Sequence, residues 1–453
     1  MKVRSFIVAL LLVLGCYACS DNYEEYYPEN LSDLPILRKG TFPEQDTTLK
    51  IGESILYSPE LYSPIDVYYQ WYLGADEVST KPEYLFTATT PGRFIIKLLV
   101  SNDYGKLELQ NKITAPGADY SKGCFIINEG WFGHETGGVS FYDYAADSIR
   151  HWEYKNQNFG ETLGVTSQSG TLWNGKMYIC SKEKPHLTVV DPTTMYKESN
   201  INNITGNKYA HEFIGLNERY GLVTGIGYQY RIDLETMKAE PFSQMSIWYD
   251  GGSGIVYQDK LLLNLKNRKV YVFNLSDVTG DLSQFNGSVP YTTLDIHTTG
   301  GTRFVKGTDG NLYTVESKTD NTHNLVKIMP DFTIEKQPMR SDYSPSSFGA
   351  YREATFCGPT TDNAFFYIAG NKIYKCTFDN AAPTTPFVDN VADGYYFYGA
   401  GIRVNSKDNH LVATYLSPDY IHNLVACFNT TTGQRVSEIR YDGYYFPATI
   451  IFN

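Results

Sequence analysis

The sequence predicts an all-β protein, in which a small immunoglobulin-like β-sandwich precedes a seven-bladed β-propeller closed by the C-terminal strand. Three observations lead to this prediction. The 453 residues include 38 Tyr and 38 Gly, a composition typical of short strands and tight turns. Long amphipathic helical runs are absent from the sequence. From residue 120 to the end, an apolar strand recurs at intervals of 40 to 53 residues, which is the range of propeller blades.

Composition and charge exclude two classes of protein. Hydrophobic residues make up 42% of the chain and charged residues 19%, which is enough apolar material for a large core and excludes wholesale disorder. The formal net charge of −12 at pH 7 argues against a nucleic-acid-binding protein, because such proteins need a basic surface. We therefore expect an ordered protein that has no nucleic-acid partner.

Residues 1–18 are predicted to be a lipoprotein signal peptide. Two cations precede an apolar run over residues 6–14, which is too short to span a bilayer and is typical of a secretory signal. The small residue Ala18 before Cys19 resembles the lipobox of bacterial lipoproteins, in which that cysteine is acylated. Cys19 is preferred over Cys16, because cleavage at Cys19 leaves a fully polar N-terminus. A cleaved signal without a lipid is the alternative.

Residues 19–35 are predicted to form an acidic tether. The segment carries five Asp or Glu residues and no Lys or Arg, as expected of a solvated linker. It also resembles the acidic export signal that sends lipoproteins of Bacteroidetes-type bacteria to the cell exterior. We therefore expect a protein that is lipid-anchored in the outer membrane and faces the cell exterior.

Residues 36–116 are predicted to form the small β domain. Alternation of apolar and polar residues over 67–72 predicts a strand with Trp71 in the core, and the run over 93–102 predicts the strongest strand of the segment. A Trp strand, then Tyr-x-Phe, then Pro-Gly-x-Phe resembles the PKD-type immunoglobulin-like domain. That resemblance implies a spacer or a carbohydrate-binding appendage.

Residues 120–453 are predicted to form the propeller. The second strands of six blades begin near Met177, Gly221, Leu261, Leu312, Phe365 and Leu411. The apolar run over 124–128 aligns with a second strand, and the run over 448–452 supplies the first strand that this blade lacks. Pairing of these two runs closes the ring and leaves no free sheet edge. The count is then seven blades, with six or eight as alternatives.

The ligand-binding site is predicted on one face of the propeller. The strands of a blade alternate in direction, so the loops between second and third strands and the links between blades open on the same face, where loops carry function. The predicted ligand-binding residues in these loops and links are Trp131, His134, Lys182, Lys184, Tyr228, Trp248, Tyr249, Lys266, Arg268, Tyr351, Arg352, Tyr396, Tyr398, Tyr420 and Tyr445. Arg303 and Arg403 add positive charge near the central channel. Alternatively, a Tyr in a link packs between blades, and a loop Lys is only solvated.

Neither a metal site nor a disulfide is predicted. The loop histidines lack HxH or HxxxH spacing and come from different blades, so we expect side chains that are mostly exposed or hydrogen-bonded in a turn and that ligate no metal. They are His134, His186, His211, His323 and His422. Five further cysteines fall mostly within predicted strands, where Cys behaves as a small buried apolar residue.

Enzymatic activity and a cofactor are not predicted either. No nucleophile-elbow, zinc-protease, phosphate-loop or paired-carboxylate motif occurs in a suitable context. Glu129, Asp143 and Asp191 are interpreted as residues that make local hydrogen bonds at turns and strand ends. Hydrolysis by acids that converge in the channel is left as an alternative.

One stretch carries a resemblance to a group of surface proteins. Residues 123–134 read Gly-Cys-Phe-Ile-Ile-Asn-Glu-Gly-Trp-Phe-Gly-His. This stretch, with Val-Val-Asp-Pro-Thr-Thr at 189–194, resembles the Bacteroidetes surface lipoproteins that carry a YncE-like, surface-layer-type propeller. The group includes cobalamin-capturing and xenosiderophore-binding lipoproteins, which pass nutrients to a TonB-dependent outer-membrane transporter.

The resemblance implies a function in nutrient capture. A cationic, Tyr-rich face on an acidic protein favours an anionic ferric siderophore as the small-molecule ligand. Capture of a corrinoid such as cobalamin, in which flat aromatic contacts matter more than cations, is the first alternative. Glycan binding through Trp131 and Trp248 is the second, and a hydrolase or a pure scaffold is also left open.

Overall fold

The computed structural model describes ten stretches of the chain. They are residues 34–63, 65–204, 209–225, 229–243, 253–265, 269–285, 289–297, 303–345, 355–389 and 394–453. The predicted signal peptide, including Cys16 and Cys19, lies outside the described residues. The chain divides into two compact units, Met1–Pro116 and Gly117–Asn453. Within the described stretches, no helix has the length and apolar character needed to cross a membrane.

The first unit is a β domain with one large sheet. Its described strands are β1 (Ile36–Leu37), β2 (Thr47–Thr48), β3 (Ser54–Tyr57), β4 (Leu61–Tyr62), β5 (Tyr68–Leu73), β6 (Asp76–Ser79), β7 (Tyr84–Thr87), β8 (Gly92–Asn102) and β9 (Gly105–Ala115). The sheet has the order β2-β9-β8-β5-β6, and β3 pairs with β7 and β1 with β4. The run over 93–102 lies in β8, as predicted, and β8 pairs with β9 along its whole length.

Trp71 is the centre of the core of this unit, as predicted. Its side chain is fully buried, and its ring lies 5.6 Å from the rings of Tyr57 and Tyr84. The indole Nε1–H donates a 2.8 Å hydrogen bond to the carbonyl of Lys81, so burial leaves its polar atom satisfied. Aliphatic residues from β8 and β9 complete the cluster.

The second unit is a propeller of seven sheets within its described residues. Six sheets have four strands and are antiparallel throughout. The strands of blades 1 to 4 are β10 (Cys124–Asn128), β11 (Gly138–Asp143), β12 (Ser148–Arg150), β13 (Ser167–Trp173), β14 (Lys176–Ser181), β15 (Leu187–Val190), β16 (Lys197–Ile201), β17 (Ala210–Gly215), β18 (Tyr220–Gly225), β19 (Gln229–Asp233), β20 (Lys238–Ser243), β21 (Gly254–Tyr257), β22 (Lys260–Leu265), β23 (Lys269–Asn274) and β24 (Thr292–Leu294).

Blades 5 to 7 follow the same plan, with one simplified member. Their strands are β25 (Val305–Lys306), β26 (Leu312–Ser317), β27 (His323–Ile328), β28 (Ile334–Pro338), β29 (Phe365–Ala369), β30 (Lys372–Cys376), β31 (Tyr396–Asn405), β32 (His410–Leu416), β33 (His422–Asn429) and β34 (Arg435–Asp442). Blade 6 consists of the hairpin β29–β30, extended by single bridges from Cys357 to Phe366 and from Ile373 to Val388. Two one-turn helices, α1 (Glu153–Gln157) and α2 (Leu275–Thr279), are the described helices.

The C-terminal strand closes the ring, as predicted. Strand β35 (Pro447–Ile451) pairs antiparallel with β10, with Phe125 opposite Ile451 and Ile126 opposite Ile450. Blade 1 therefore has the order β12-β11-β10-β35, with its innermost strand supplied by the other end of the chain. This pairing gives the inner edge of β10 a partner, which is how a propeller avoids an open sheet edge.

Close packing of one blade on the next explains the apolar second strands. All five residues of β10 and all five of β29 are buried, because both faces of each sheet are covered by neighbouring blades. Gly170 in β13 lies at a close approach between blades 1 and 2. A Cβ at this position would collide with Ile451 and would lie 3.3 Å from Cγ1 of Ile127.

Candidate functional site

The start of each inner strand and the end of each second strand meet on one face of the propeller, termed here the loop face. The inner strands β13, β17, β31 and β35 begin there, and β10 and β14 end there. Glu129 and Lys182 directly follow β10 and β14, so they lie at this face by topology alone. The predicted ligand site belongs to the same face.

Seven of the predicted ligand-binding residues lie outside the described residues. They are Tyr228, Trp248, Tyr249, Lys266, Arg268, Tyr351 and Arg352. The described ones are Trp131, His134, Lys182, Lys184, Arg303, Tyr396, Tyr398, Arg403, Tyr420 and Tyr445. They fall into two groups, one along the central channel and one at the loop face.

The central channel holds a cavity of about 570 Å³. Its wall begins at Ser169 in β13 and Glu212 in β17, each two residues inside the start of its strand. Apolar side chains such as Ile214 and Phe304 make up much of the remaining wall. The cavity therefore lies deeper in the propeller than the residues of the loop face.

Two arginines from different blades converge on this channel. Arg303 precedes β25, Arg403 lies in β31, and both line the cavity. Burial raises the pKa of the Cys357 thiol to about 12, and the charges of both guanidinium groups act against that rise. The two cations therefore approach the same part of the wall, near blade 6. Arg403 is only 3% exposed, and its Nη1 donates a 2.8 Å hydrogen bond to the carbonyl of Ile402.

Glu129 is a functional candidate that sequence reasoning missed. Its side chain is 9% exposed, whereas Asp143 and Asp191 make the local turn hydrogen bonds that were predicted for all three acids. Burial raises the pKa of Glu129 to about 7, against the lowering effects of a hydrogen bond from Tyr398 and the charge of Lys182. The available signal was a carboxyl group that closely follows the apolar run Cys124–Ile127, because such a residue has little room to reach solvent.

Lys182 connects the loop-face ends of three blades. Its ammonium lies 4.8 Å from the ring centroid of Phe132 and 4.4 Å from that of Tyr209, as in cation–π contacts. Burial lowers the pKa of His211 to about 4, and the charge of Lys182 acts in the same direction. We term Glu129, Phe132, Lys182, Tyr209, His211 and Tyr398 the mouth cluster, because they lie at the loop-face end of the channel.

The placement of Tyr396 and Tyr398 in a link between blades was wrong. Both belong to the inner strand β31, which is lengthened by an irregularity between Phe397 and Ile402. Tyr398 is buried, and its hydroxyl donates a 3.1 Å hydrogen bond to Oε2 of Glu129. Tyr396 is half-buried. The bulge thus turns an expected surface aromatic into part of the mouth cluster.

Trp131 packs against two neighbouring rings. The centroid of its ring lies 4.0 Å from that of His134 and 4.2 Å from that of Tyr444. The Trp131–Tyr444 pair is stacked. Trp131 is 38% exposed. Stacking of a sugar ring on this residue, one basis for the glycan hypothesis, would therefore compete with these two ring contacts.

The remaining predicted residues are spread over the loop face. Tyr420 is exposed and lies 6.0 Å from the ring of Phe446. Tyr445 is half-buried, and its ring stacks on that of His151 at 4.2 Å. It therefore packs within the propeller, which was the alternative to ligand binding for a Tyr in a link. Lys184 is exposed.

Three of the five loop histidines, which were expected to be mostly exposed or turn partners, are buried, and His186 accepts a 3.1 Å hydrogen bond from the backbone N–H of Ile204. His186, His211 and His323 are buried, and burial lowers the pKa of each. His134 and His422 are exposed. The three buried rings lie at or beside strand ends, where neighbouring blades cover them. Among the described residues, no group of three or more His, Cys, Asp or Glu side chains could hold a metal ion, and five buried cysteines are free thiols.

Comparison with known structures places this architecture among propeller proteins. A crystal structure described as a "Quinonprotein alcohol dehydrogenase-like protein" from Bacteroides thetaiotaomicron VPI-5482 is 27% identical, with a TM-score of 0.70, over 93% of this chain and 100% of that chain. Dihydro-heme d1 dehydrogenase NirN is 8% identical, with a TM-score of 0.45, over 79% of this chain and 72% of that chain. AztD from Citrobacter koseri is 12% identical, with a TM-score of 0.42, over 85% of this chain and 97% of that chain. The last two are similar in fold alone, and we draw nothing further from them.

These comparisons also correct one prediction. The absence of catalytic motifs led to the prediction that the protein is not an enzyme, and the description of the Bacteroides structure as alcohol dehydrogenase-like overturns it. No curated protein matches the sequence. The model of the family described as "Domain of unknown function (DUF5074)" matches residues 122–453, the whole propeller. This chain is therefore a member of the DUF5074 family.

Proposed function

We propose that this protein is a cell-surface lipoprotein that captures a bulky, anionic nutrient chelate in its propeller, with a ferric siderophore as the favoured ligand. The observation that carries the proposal is the convergence of Arg303 and Arg403 on one channel of about 570 Å³. A volume of this size is within the range of small-molecule sites. Two guanidinium groups attract an anion locally even though the chain has a net charge of −12.

The walls of the channel suit a large ligand that is only partly polar. Arg303 and Arg403 would hold acidic or metal-bound oxygens, because guanidinium groups bind such oxygens in a fork. Apolar side chains such as Leu172, Ile214 and Phe304 would contact the rest of the ligand. The mouth cluster lies at the loop face, whereas the cavity is lined by residues farther along the inner strands, up to Trp173 and Phe452.

Delivery to the cell is part of the same proposal. Acylation at Cys19, or at Cys16, would hold the protein at the outer membrane, and a PKD-type first domain would set its distance from the surface. The YncE-like propeller would then present its loop face to a TonB-dependent outer-membrane transporter. Several acyl chains on one cysteine would anchor the protein firmly, because each buried CH₂ contributes about 0.8 kcal/mol.

Titration of the soluble chain from Asp21 onward with a ferric catecholate siderophore and with cobalamin tests this function. Tight binding of the ferric chelate that weakens as salt is raised is expected, because salt screens the attraction of the arginines. Arg303→Gln is expected to weaken binding about tenfold, as loss of one charge-assisted hydrogen bond would. Arg219→Gln is the matched control, because Arg219 is exposed and pairs with Asp233 at 3.0 Å in the hairpin of blade 3.

The possible outcomes separate the candidate ligands. Salt-independent binding of cobalamin alone would replace the siderophore by a corrinoid. Binding of neither compound would refute capture of both classes and direct the search to glycans or a protein partner. Equal affinity of the Arg303→Gln variant and the wild type would remove the channel arginines from the site.

A second candidate function, an enzyme acting on an alcohol, is favoured by the 27% identity to the alcohol dehydrogenase-like structure. The description of that structure implies a quinone, which would accept electrons when bound. Arg303 and Arg403 are the channel side chains whose charge fits the oxygens of such a group. Glu129 at the mouth could accept a proton from a hydroxyl. Turnover of primary alcohols with an artificial electron acceptor, with and without an added quinone, tests this candidate.

A further inference from the structure

A second cavity, of about 530 Å³, lies outside the central channel, in blade 4. It is lined by the end of β23 and by the segment that joins β23 to β24, which begins with α2 and ends at Tyr291. Third strands run away from the loop face, so this segment lies at the opposite face of the propeller. None of the described residues that line the channel cavity also lines this one. The second cavity is therefore separate from the site of the proposed function.

Blade 3 holds the joining segment in place. Arg231 of β19 is 6% exposed, and its Nη1 donates hydrogen bonds of 3.2 and 2.5 Å to the carbonyls of Val278 and Gly280, at the end of α2. Farther along the segment, the ring of Phe285 stacks on that of Phe242 in β20, with the centroids 4.7 Å apart. These contacts fix the wall of the cavity before any ligand binds, and such preorganisation lowers the entropic cost of binding.

Two carboxylates give this cavity a negative charge. Asp277 and Asp281 line it, and its described lining residues include no Lys, Arg or His. Asp277 accepts a 2.9 Å hydrogen bond from the amide of Asn274, and Asp281 accepts one of 2.9 Å from the backbone N–H of Ser283. The hydrogen bonds from Ser283 and, to a lesser extent, the charge of Arg231 keep the pKa of Asp281 below its ordinary value. Both carboxylates are exposed, so a cation can reach them.

Apolar side chains form much of the remaining wall. Phe285 is half-buried, whereas Val289 and Tyr291 are 68% and 60% exposed. Neighbouring apolar side chains that are left exposed are typical of a binding surface. The ammonium of Lys260 lies 4.9 Å from the centroid of the Tyr291 ring, but Asp259 pairs with this ammonium at 2.6 Å. The charge of the lysine is therefore balanced outside the cavity, and the two carboxylates of the lining keep their attraction for a cation.

The combination of negative charge and apolar wall indicates the class of ligand. An ammonium or guanidinium group would bind the carboxylates through charge-assisted hydrogen bonds, and an attached apolar group would release water from the apolar wall. A volume of about 530 Å³ is within the range of small-molecule sites. We propose that this cavity, termed the blade 4 site, binds a small organic cation that carries an aromatic or aliphatic group. The residues that would contact the ligand are Asp277, Asp281, Phe285, Val289 and Tyr291.

Three probes of similar size and different charge test the proposal on the soluble chain from Asp21 onward. They are the cation 2-phenylethylamine, the neutral 2-phenylethanol and the anion 3-phenylpropionate. Saturation-transfer NMR and calorimetry at neutral pH should show binding of the amine that weakens as salt is raised, because salt screens the attraction of the carboxylates. The alcohol should bind at least tenfold more weakly than the amine, and the anion should not compete with the amine.

Variants of exposed residues locate the site without damage to the fold. Asp281→Asn keeps the acceptor for the N–H of Ser283 and should weaken amine binding about tenfold, as loss of one charge-assisted contact would. Tyr291→Ala should weaken amine binding while the unfolding temperature stays near that of the wild type. Asp320→Asn is the matched control, because Asp320 is exposed and accepts the same 2.9 Å hydrogen bond from the backbone N–H two residues later. This control and Arg303→Gln should both bind the amine as the wild type does.

Four results would overturn the inference. They are absence of amine binding, equal affinity for the amine and the alcohol, unchanged amine binding in Asp281→Asn, and loss of amine binding in Arg303→Gln, which would place the amine in the channel. Failure of the siderophore titration alone would refute the proposed function and leave the blade 4 site intact, because the two cavities share no described lining residue. Conversely, siderophore binding without amine binding would leave the proposed function and refute the blade 4 site.

Discussion

Tyr398 donates a 3.1 Å hydrogen bond to Oε2 of Glu129, which lies 269 residues earlier in the chain. The bond joins the inner strand of blade 7 to the end of β10 in blade 1, across the seam where the propeller closes. The backbone N–H of Glu129 donates to the carbonyl of Phe446, one residue before the closing strand. The mouth of the channel is thus assembled by the same contacts that close the ring.

Removal of the Tyr398 hydroxyl tests the strength of this connection. The hydrogen bond from Tyr398 lowers the pKa of Glu129, so it stabilises the carboxylate more than the neutral acid. Tyr398→Phe should therefore lower the free energy of unfolding by about 1–3 kcal/mol at pH 8 and by less at pH 5. Urea unfolding at pH 8 and at pH 5 measures the two losses of free energy. Tyr291→Phe, at an exposed ring in blade 4, is the control, and an equal loss at both pH values would contradict the prediction.

Glu129→Gln should stabilise the propeller at high pH. The pKa of Glu129 is raised from an ordinary 4.5 to about 7, so the folded state prefers the protonated form. That contribution to stability is fully present below pH 4.5 and is lost as the pH rises through 7. The variant should match the wild type near pH 4.5 and exceed it by up to about 3 kcal/mol at pH 8.5. Thermal unfolding across this range checks the sign, with Glu135→Gln expected to show no such trend.

The closing strand β35 should contribute as much to the stability of the propeller as a strand of the core does. Ile450 is buried, pairs with Ile126, and packs in a cluster with residues of blade 7. Ile450→Ala should lower the free energy of unfolding by about 2–5 kcal/mol, because it leaves a cavity at the seam. Val436→Ala, an aliphatic truncation on the exposed side of β34, should cost far less. Similar losses in the two variants would mean that β35 adds little to the stability of the ring.

The propeller could be predicted from the sequence because its second strands carry a strong local signal. Strands β10 and β29 are buried at every position and consist almost entirely of apolar residues, and such runs recur at the length of a blade. The pairing of β35 with β10 followed from a first strand that was missing from blade 1. Topology then indicated which loops share a face.

The mouth cluster could not be predicted in the same way, because distant parts of the chain create it. The burial of Glu129 depends on Tyr398 and Phe446, and no local pattern around Glu129 encodes those contacts. The run around Tyr398 reads as an aromatic link, since the bulge that carries it into β31 is set by pairing with β32. Likewise, the aromatic composition near Trp131 indicated a ligand platform, whereas its ring packs against those of His134 and Tyr444.

His211→Gln should protect the propeller against acid. Burial and the charge of Lys182 lower the pKa of His211 from 6.5 to about 4. Between these pH values the ring is protonated in the unfolded chain and neutral in the folded chain. The stability contributed by the neutral ring is present above pH 6.5 and is lost as the pH falls through 4. The free energy of unfolding of the variant should equal that of the wild type at pH 8 and exceed it by up to about 3 kcal/mol near pH 4.

His422→Gln should change stability in the opposite direction, because Asp442 and Asp419 raise the pKa of His422 and its protonated form stabilises the fold. Acid titration of both variants by circular dichroism tests the pair, and parallel behaviour of the two would refute the assignment of His211 as a buried neutral ring.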